Sequence, residues 1–241
     1  MAVSLRLERG LPRTASAKVA RGEPFAQTPA AVIRRLFNVL VALLGILLTW
    51  PLMAVVAVLI KLTSRGPVLY KQVRIGIDRR SPSRIGYNTR RHFDYGGTPF
   101  TIYKFRTMTV DTGSAAQQIW ARPDDQRITP IGRWLRKFRL DELPQLFNVV
   151  RGDMNVVGPR PEQPNILLSL RGRIGRYQQR QRVLPGITGL AQINLCYDRT
   201  LADVRRKVAL DLQYISRQST LEDLRIMMKT IPVMLGARRG W

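Results

Sequence analysis

An adjacent acid pair, Asp141-Glu142, stands in a basic stretch: Arg133, Arg136, Lys137 and Arg139 precede it and Arg151 follows. Flanking cations keep carboxylates ionised. Neighbours on a helix point about 100° apart, so the two cannot easily share one proton as a close dyad. They can divide the work, one as nucleophile and the other as metal ligand. Carboxylate attack on a phosphoryl group is aspartyl-phosphate chemistry. The architectural alternative is that Asp141 caps a helix begun near Leu143-Pro144, since proline suits a first turn.

The remaining candidates are cationic. In Gly158-Pro159-Arg160-Pro161 the prolines hold Arg160 in an extended backbone, and an arginine fork matches phosphate. The same residues also suit a plain turn with a solvated arginine. Lys104-Phe105-Arg106 places two cations on one face of a strand and the phenyl ring on the other, which suits a diphosphate or an ordinary amphipathic strand. No Walker A or GxGxxG string occurs, so phosphate binding would rest on these side chains.

Composition narrows the chemistry further. The single cysteine, Cys196, and single histidine, His92, exclude an intrachain disulfide and a Cys/His zinc site. Histidine-dependent triads would all have to use His92, which lies in a charged, Gly-rich stretch. A net charge of +24 calls for an anionic partner: nucleic acid, anionic lipid or a phosphorylated substrate.

The elements around these residues begin with a polar, basic tail over 1–30 that has no signal-peptide pattern. An uncharged apolar run follows from Leu36 to Ile60. It is long enough to cross a hydrocarbon core of about 30 Å. Pro51 interrupts it, leaving halves of roughly 22 and 15 Å. Arg34 and Arg35 flank one end, Lys61 and Arg65 the other. Basic residues at both ends suit a re-entrant helix-break-helix with both ends cytoplasmic, and a spanning helix stays open. Thr49 can supply a hydroxyl to carbonyls freed near Gly45–Leu48.

Downstream, Val68–Tyr70 and Pro99–Met108 read as strands, and 76–99 as a surface loop or insertion. Helical patterns cover Ser114–Trp120, Ile131–Asn148 (restarting at Pro144), Pro164–Arg182, Thr200–Arg217 and Leu221–Leu235. Pro185–Gly189 reads as a turn, and Leu190–Leu195 as a short strand or extended piece.

PFTIYKFRTM, RITPIGRWLRKFRLDELPQLFNVVRGDMNVVGPRPE and VLPGITGLAQIN, in this order after a proline-broken apolar segment, resemble the bacterial sugar transferases. These are the monotopic phosphoglycosyl transferases, or polyprenyl glycosylphosphotransferases. The similarity runs from about Arg34 to Ile231. It implies that Asp141 is the nucleophile. Asp141 attacks the β-phosphate of a UDP-sugar and releases UMP, and polyprenyl phosphate then takes the sugar phosphate from the aspartate. It ties Glu142, with Asp141, to Mg²⁺. It places Lys104, Arg136 and Arg160 in the active site; with Arg106 from the strand face, these are the expected ligands of the substrate phosphates, and Pro51 is the expected membrane break.

The resemblance also implies an α/β, mainly helical fold. It would consist of a re-entrant membrane helix over 31–65 and a catalytic domain over 66–241, with amphipathic interfacial helices and a small β element at the site. Expected partners are a UDP-sugar, polyprenyl phosphate, anionic membrane lipid and a second copy of the chain, with no nucleic acid. The expected location is the cytoplasmic face of the bacterial inner membrane, in a pathway such as exopolysaccharide synthesis. The chain is similar to short-form members. It departs in carrying Trp50-Pro51 where many members have Ser-Pro, and in its longer 76–99 stretch. The rival classes are a membrane-tethered nucleic-acid binder and a non-catalytic scaffold. With 7% aromatic residues and no stacking motif, the first has little to bind bases with.

Overall fold

A computed structural model describes residues 28–79, 95–109, 125–195 and 200–234. The tail over 1–27, the expected helix at Ser114–Trp120, most of the 76–99 insertion, His92 and Cys196 lie outside the described residues. Among the described residues the fold is mainly helical, with two small two-stranded sheets.

Helix α1 spans Pro29–Thr63. Thr28 caps it by accepting from the Ala31 amide at 3.2 Å, and Pro29 occupies the first turn. The expected break in the backbone at Pro51 is not found: the helix runs without interruption through it. Thr49 Oγ1 donates to the Gly45 carbonyl at 2.7 Å, one turn back, a bond that bends a helix without ending it.

One stripe of α1 faces the rest of the protein. Asn38, Ala42, Val56 and Ile60 are buried on it, and Gly45 lies against Leu146. Ala42 packs with Ile102, Val149 and Met154, while Val56 and Ile60 pack with Phe105 and Leu135. Both arms therefore seat on the same body. The opposite face is apolar and exposed along the helix: Leu40 is 65% exposed, Leu48 69% and Trp50 58%.

A polar latch fixes the first arm. Asn38 donates to Asp223 at 3.1 Å and accepts from the Val156 amide at 2.8 Å. Arg34 Nε reaches the same Asp223 at 2.8 Å, and Tyr214 donates to Asp223 at 2.7 Å. Asp223 and Asn38 are fully buried, which is tolerable only because each has partners.

Strands β1 (Leu69–Ile75) and β2 (Pro99–Phe105) pair antiparallel, from Leu69 opposite Phe105 to Ile75 opposite Pro99. Helix α2 (Pro130–Lys137) leads to a 3₁₀ turn at Leu140–Glu142 and then to α3 (Gln145–Arg151). Strand β3 (Asn155–Val157) runs parallel to β4 (Gly186–Thr188).

Strand β4 corrects the expected turn at Pro185–Gly189. A Cβ at Gly186 would sit 2.0 Å from the Gly158 amide nitrogen, so only a bare backbone allows this approach. The expected extended piece at Leu190–Leu195 is instead helix α5 (Leu190–Asn194). The expected single helix over 164–182 divides into α4 (Pro164–Arg171) and a 3₁₀ stretch at Tyr177–Arg182. Left-handed Arg176, with φ of 64°, precedes the second piece. Helices α6 (Leu201–Arg217, with a Thr200–Asp203 capping box) and α7 (Thr220–Met234) complete the described chain.

Candidate active site

The acid pair is presented by backbone geometry. Thr129 caps α2 by accepting from the Gly132 amide at 3.0 Å. Gly132 itself packs onto Thr107, where a Cβ would approach the carbonyl oxygen to 2.1 Å. After α2, Arg139 adopts φ of 55° and turns the chain into the 3₁₀ turn. A non-glycine residue in the left-handed region is costly, and such residues cluster at functional sites. Asp141 and Glu142 share that single turn. Asp141 caps nothing: the residue at the N-cap of α3 is Pro144, with no side-chain cap bond.

Glu142 points inward and is 6% exposed. Its Oε1 accepts from Lys104 Nζ at 2.8 Å and from Arg160 Nη2 at 2.7 Å. Its Oε2 meets Arg160 Nη1 at 3.4 Å. Lys104 arrives from β2 and Arg160 from the loop after β3, so three separate elements converge on one carboxylate. The sheet register is pinned beside Lys104 by buried Asn148. It donates to the Thr101 carbonyl at 2.7 Å and accepts from the Tyr103 amide at 3.1 Å.

The two carboxylates differ sharply in character. Burial opposes the Glu142 charge, but Arg160 and Lys104 outweigh it and hold this carboxyl well below the ordinary range. Burial, and next the Glu142 charge, push Asp141 up to about 6, against the pull of Lys104, Arg160 and Arg136. Asp141 accepts no hydrogen bond among the described residues. It is a half-buried carboxylate, ionised at neutral pH, weakly stabilised by its surroundings and beside three cations. A carboxylate of this kind is chemically able to attack a phosphoryl group whose charge those cations offset. Burial lowers the Lys104 ammonium, while the Glu142 charge opposes that shift; the Glu142 charge raises the Arg160 guanidinium.

Of the expected phosphate-binding residues, Lys104 and Arg160 meet at the acid pair. Arg136, in the last turn of α2, is near enough for its charge to act on Asp141. Arg106 is not brought there. It is 5% exposed, and its guanidinium donates to the carbonyls of Arg65 at 2.6 Å and Ser64 at 2.7 Å and to Ser64 Oγ at 2.8 Å. It closes the C-terminal end of α1, where a cation also suits the helix dipole. The strand ends at Phe105, so alternation no longer holds Arg106 beside Lys104.

Among the described residues, no three His, Cys, Asp or Glu side chains gather into a metal cage. Mg²⁺ commonly binds through one or two carboxylates plus substrate phosphates. Asp141 and Glu142 Oε2 fit an ion shared with substrate in that way.

Sequence reasoning missed the charged groups behind the site: Arg74, Glu162, Arg180, Lys207 and Asp211. Glu162 directly follows the Gly-Pro-Arg-Pro string, which was the available signal. Lys207 and Asp211, spaced i,i+4 on α6, look like a solvated helix pair.

Residues 29–237 match the bacterial sugar transferase family. The chain is 40% identical over 211 residues to a UDP-N-acetylgalactosamine-undecaprenyl-phosphate N-acetylgalactosaminephosphotransferase from Aeromonas hydrophila, covering 86% of this chain and 45% of that one. It is 40% identical over 213 residues to an undecaprenyl-phosphate glucose phosphotransferase from Komagataeibacter xylinus, covering 86% and 37%. With a UDP-glucose:undecaprenyl-phosphate glucose-1-phosphate transferase from Caulobacter vibrioides the identity is 37% over 218 residues, covering 89% and 74%. The chain thus spans less than half of the first two relatives.

Proposed function

The chain belongs to the bacterial sugar transferase family, and from that membership we propose that it moves a sugar 1-phosphate from a UDP-sugar to undecaprenyl phosphate. The observation that carries this reading is the asymmetry of the acid pair. Glu142 is neutralised by Lys104 and Arg160, whereas Asp141 stands beside the same cations with no protein partner among the described residues.

Asp141 attacks the β-phosphorus of the donor, an Asp–O–P bond forms, and the bond to the α-phosphate oxygen breaks, releasing UMP. An oxygen of undecaprenyl phosphate then attacks the same phosphorus. The Asp141 carboxylate leaves, and the product is an undecaprenyl diphosphate sugar. Lys104 and Arg160 lie where negative charge gathers on the transferring group, and Arg136 adds to that field. Bound Mg²⁺, held by Glu142 and Asp141 with the diphosphate, would supply further charge neutralisation. Glu142 also holds the two cations in fixed positions.

Helix α1 works as a re-entrant membrane anchor in this reading. The exposed apolar outer face of α1 and the basic residues at both of its ends support that reading, with Leu47–Trp50 before Pro51 dipping into the bilayer. Both helix ends and the acid pair then stay on the cytoplasmic face of the inner membrane, where basic residues meet anionic lipid. The reaction would begin the synthesis of an exopolysaccharide or another surface glycan.

The test is UMP release by the purified, detergent-solubilised protein with Mg²⁺, undecaprenyl phosphate and a panel of UDP-sugars. Release confined to particular donors is expected. No release with any donor, together with salt-dependent nucleic-acid binding, would overturn the reading.

A further inference from the structure

The loop that carries Arg160 is gripped from behind by guanidinium groups. Arg180 Nη2 donates to the Arg160 carbonyl at 3.0 Å. Arg74 Nη1 donates to the next carbonyl, that of Pro161, at 3.1 Å. Two successive peptide oxygens of the site loop are thus each held by an arginine.

Arg180 is in turn fixed on every side. Its Nε donates to Asp211 Oδ2 at 2.6 Å, and its Nη1 to Tyr177 Oη at 3.0 Å and Glu162 Oε1 at 3.4 Å. Lys207 Nζ holds the same Glu162 oxygen at 2.7 Å. Arg180 is 5% exposed and Asp211 1%. The Asp211 bond sets the plane of the guanidinium, and that plane sends Nη2 to the Arg160 carbonyl. A lysine has one point of charge and cannot reproduce this fork.

A buried charge network of this kind is poorly explained by stability alone, because a packed apolar cluster commonly does as well. What the network does, and an apolar cluster cannot, is fix a main-chain carbonyl in place. We propose that Arg180, oriented by Asp211, is a positioning residue: it holds the Arg160 main chain so that the Arg160 guanidinium meets Glu142 and the donor's diphosphate. Arg180 acts through Arg160 and makes no contact with the acid pair in the described structure. The kinetic consequence rests on the proposed phosphoryl transfer; the structural consequence does not.

The test uses the full chain in detergent, with Arg180→Lys and Asp211→Asn made in the wild type and in an Arg160→Ala background. In the wild-type background Arg180→Lys is expected to lower kcat by about 10- to 100-fold, with a smaller change in donor KM, as for a displaced catalytic group. Asp211→Asn, which keeps an acceptor for Arg180, loses less. In the Arg160→Ala background the same changes cost less than about twofold, because the residue through which they act is gone. Equal losses in both backgrounds, or losses matched by the unfolded fraction, overturn the inference.

Backbone hydrogen exchange over 158–163 needs no turnover. It is expected to quicken in both variants while α1 keeps its wild-type protection. If the wild type proves inactive with every donor, the activity reading fails and exchange alone decides: unchanged exchange over 158–163 overturns the positioning role, and selective quickening sustains it.

Discussion

Replacing Glu142 by glutamine removes a single charge from the centre of the site, and its consequences can be worked from the contacts. The Glu142 side chain is 7% exposed and bridges Lys104 at 2.8 Å and Arg160 at 2.7 Å. Removing one partner of a buried ion pair costs about 3–5 kcal/mol, since the remaining charge is left buried. The amide keeps a carbonyl for one cation but turns an NH₂ toward the other, which places the loss near the lower end, about 3 kcal/mol. At about 2–4 °C per kcal/mol for a chain of this size, the midpoint of unfolding falls by about 6–12 °C.

The same change acts on Asp141 in the opposite sense. Burial and then the Glu142 charge raise that carboxyl to about 6, so losing the charge lowers it. In the wild type the Asp141 contribution favours folding at low pH and is lost as pH rises through about 6. The depressed Glu142 carboxyl behaves inversely: its contribution is present above the ordinary glutamate range and is lost as pH falls through its own lower value. The acid limb of the rate profile, set by ionisation of the nucleophile, therefore sits near pH 6 in the wild type and moves to lower pH in Glu142→Gln. Thermal unfolding in one detergent and UMP release across pH read both effects. A midpoint within about 2 °C of wild type, with the acid limb unmoved, would refute the reasoning.

Arg106→Ala should behave as a structural lesion. Three charge-assisted bonds to the end of α1 are lost, lowering stability by about 2–4 kcal/mol, while donor KM in the folded fraction stays within about twofold; a large KM rise would return Arg106 to the phosphate site. Gly158→Ala places a Cβ 2.5 Å from the Leu184 carbonyl oxygen, so β3 and β4 must separate; a sharp fall in both unfolding midpoint and rate is expected. With Cys196 replaced by serine, single cysteines at Ala30 and Thr63 should both react with an impermeant maleimide from the cytoplasmic side, and one at Leu48 from neither. Labelling of the two ends from opposite sides would establish a spanning helix.

Much of the site was legible because its parts are local. Asp141 and Glu142 are neighbours in the chain, Lys104 sits on an alternating strand, and prolines hold Arg160 on both sides. Their convergence on Glu142 joins residues 38 and 18 positions apart; spacing alone carries no sign of it. Arg106 misled because alternation was extended one residue beyond the strand. Strand β4 was hidden for a different reason: its three residues become a strand only by pairing with β3, about thirty residues earlier, and glycine at 186 suits a turn equally well. Arg180 and Asp211 sit among polar neighbours, in segments whose charges resemble solvated faces. Only their contact across 31 residues reveals them as interior. Pro51 was read too strongly as a break: the helix runs on through it, as a proline removes only one bond of the ladder and the arms on either side are packed against the body.

The most direct test of the account is to offer the protein a UDP-sugar donor without undecaprenyl phosphate and to analyse the peptide containing Asp141 by mass spectrometry. One sugar phosphate on that peptide, formed with an equivalent of UMP, absent in Asp141→Asn and discharged by adding undecaprenyl phosphate, is the expected result. UMP release that requires both substrates together and survives Asp141→Asn would contradict it.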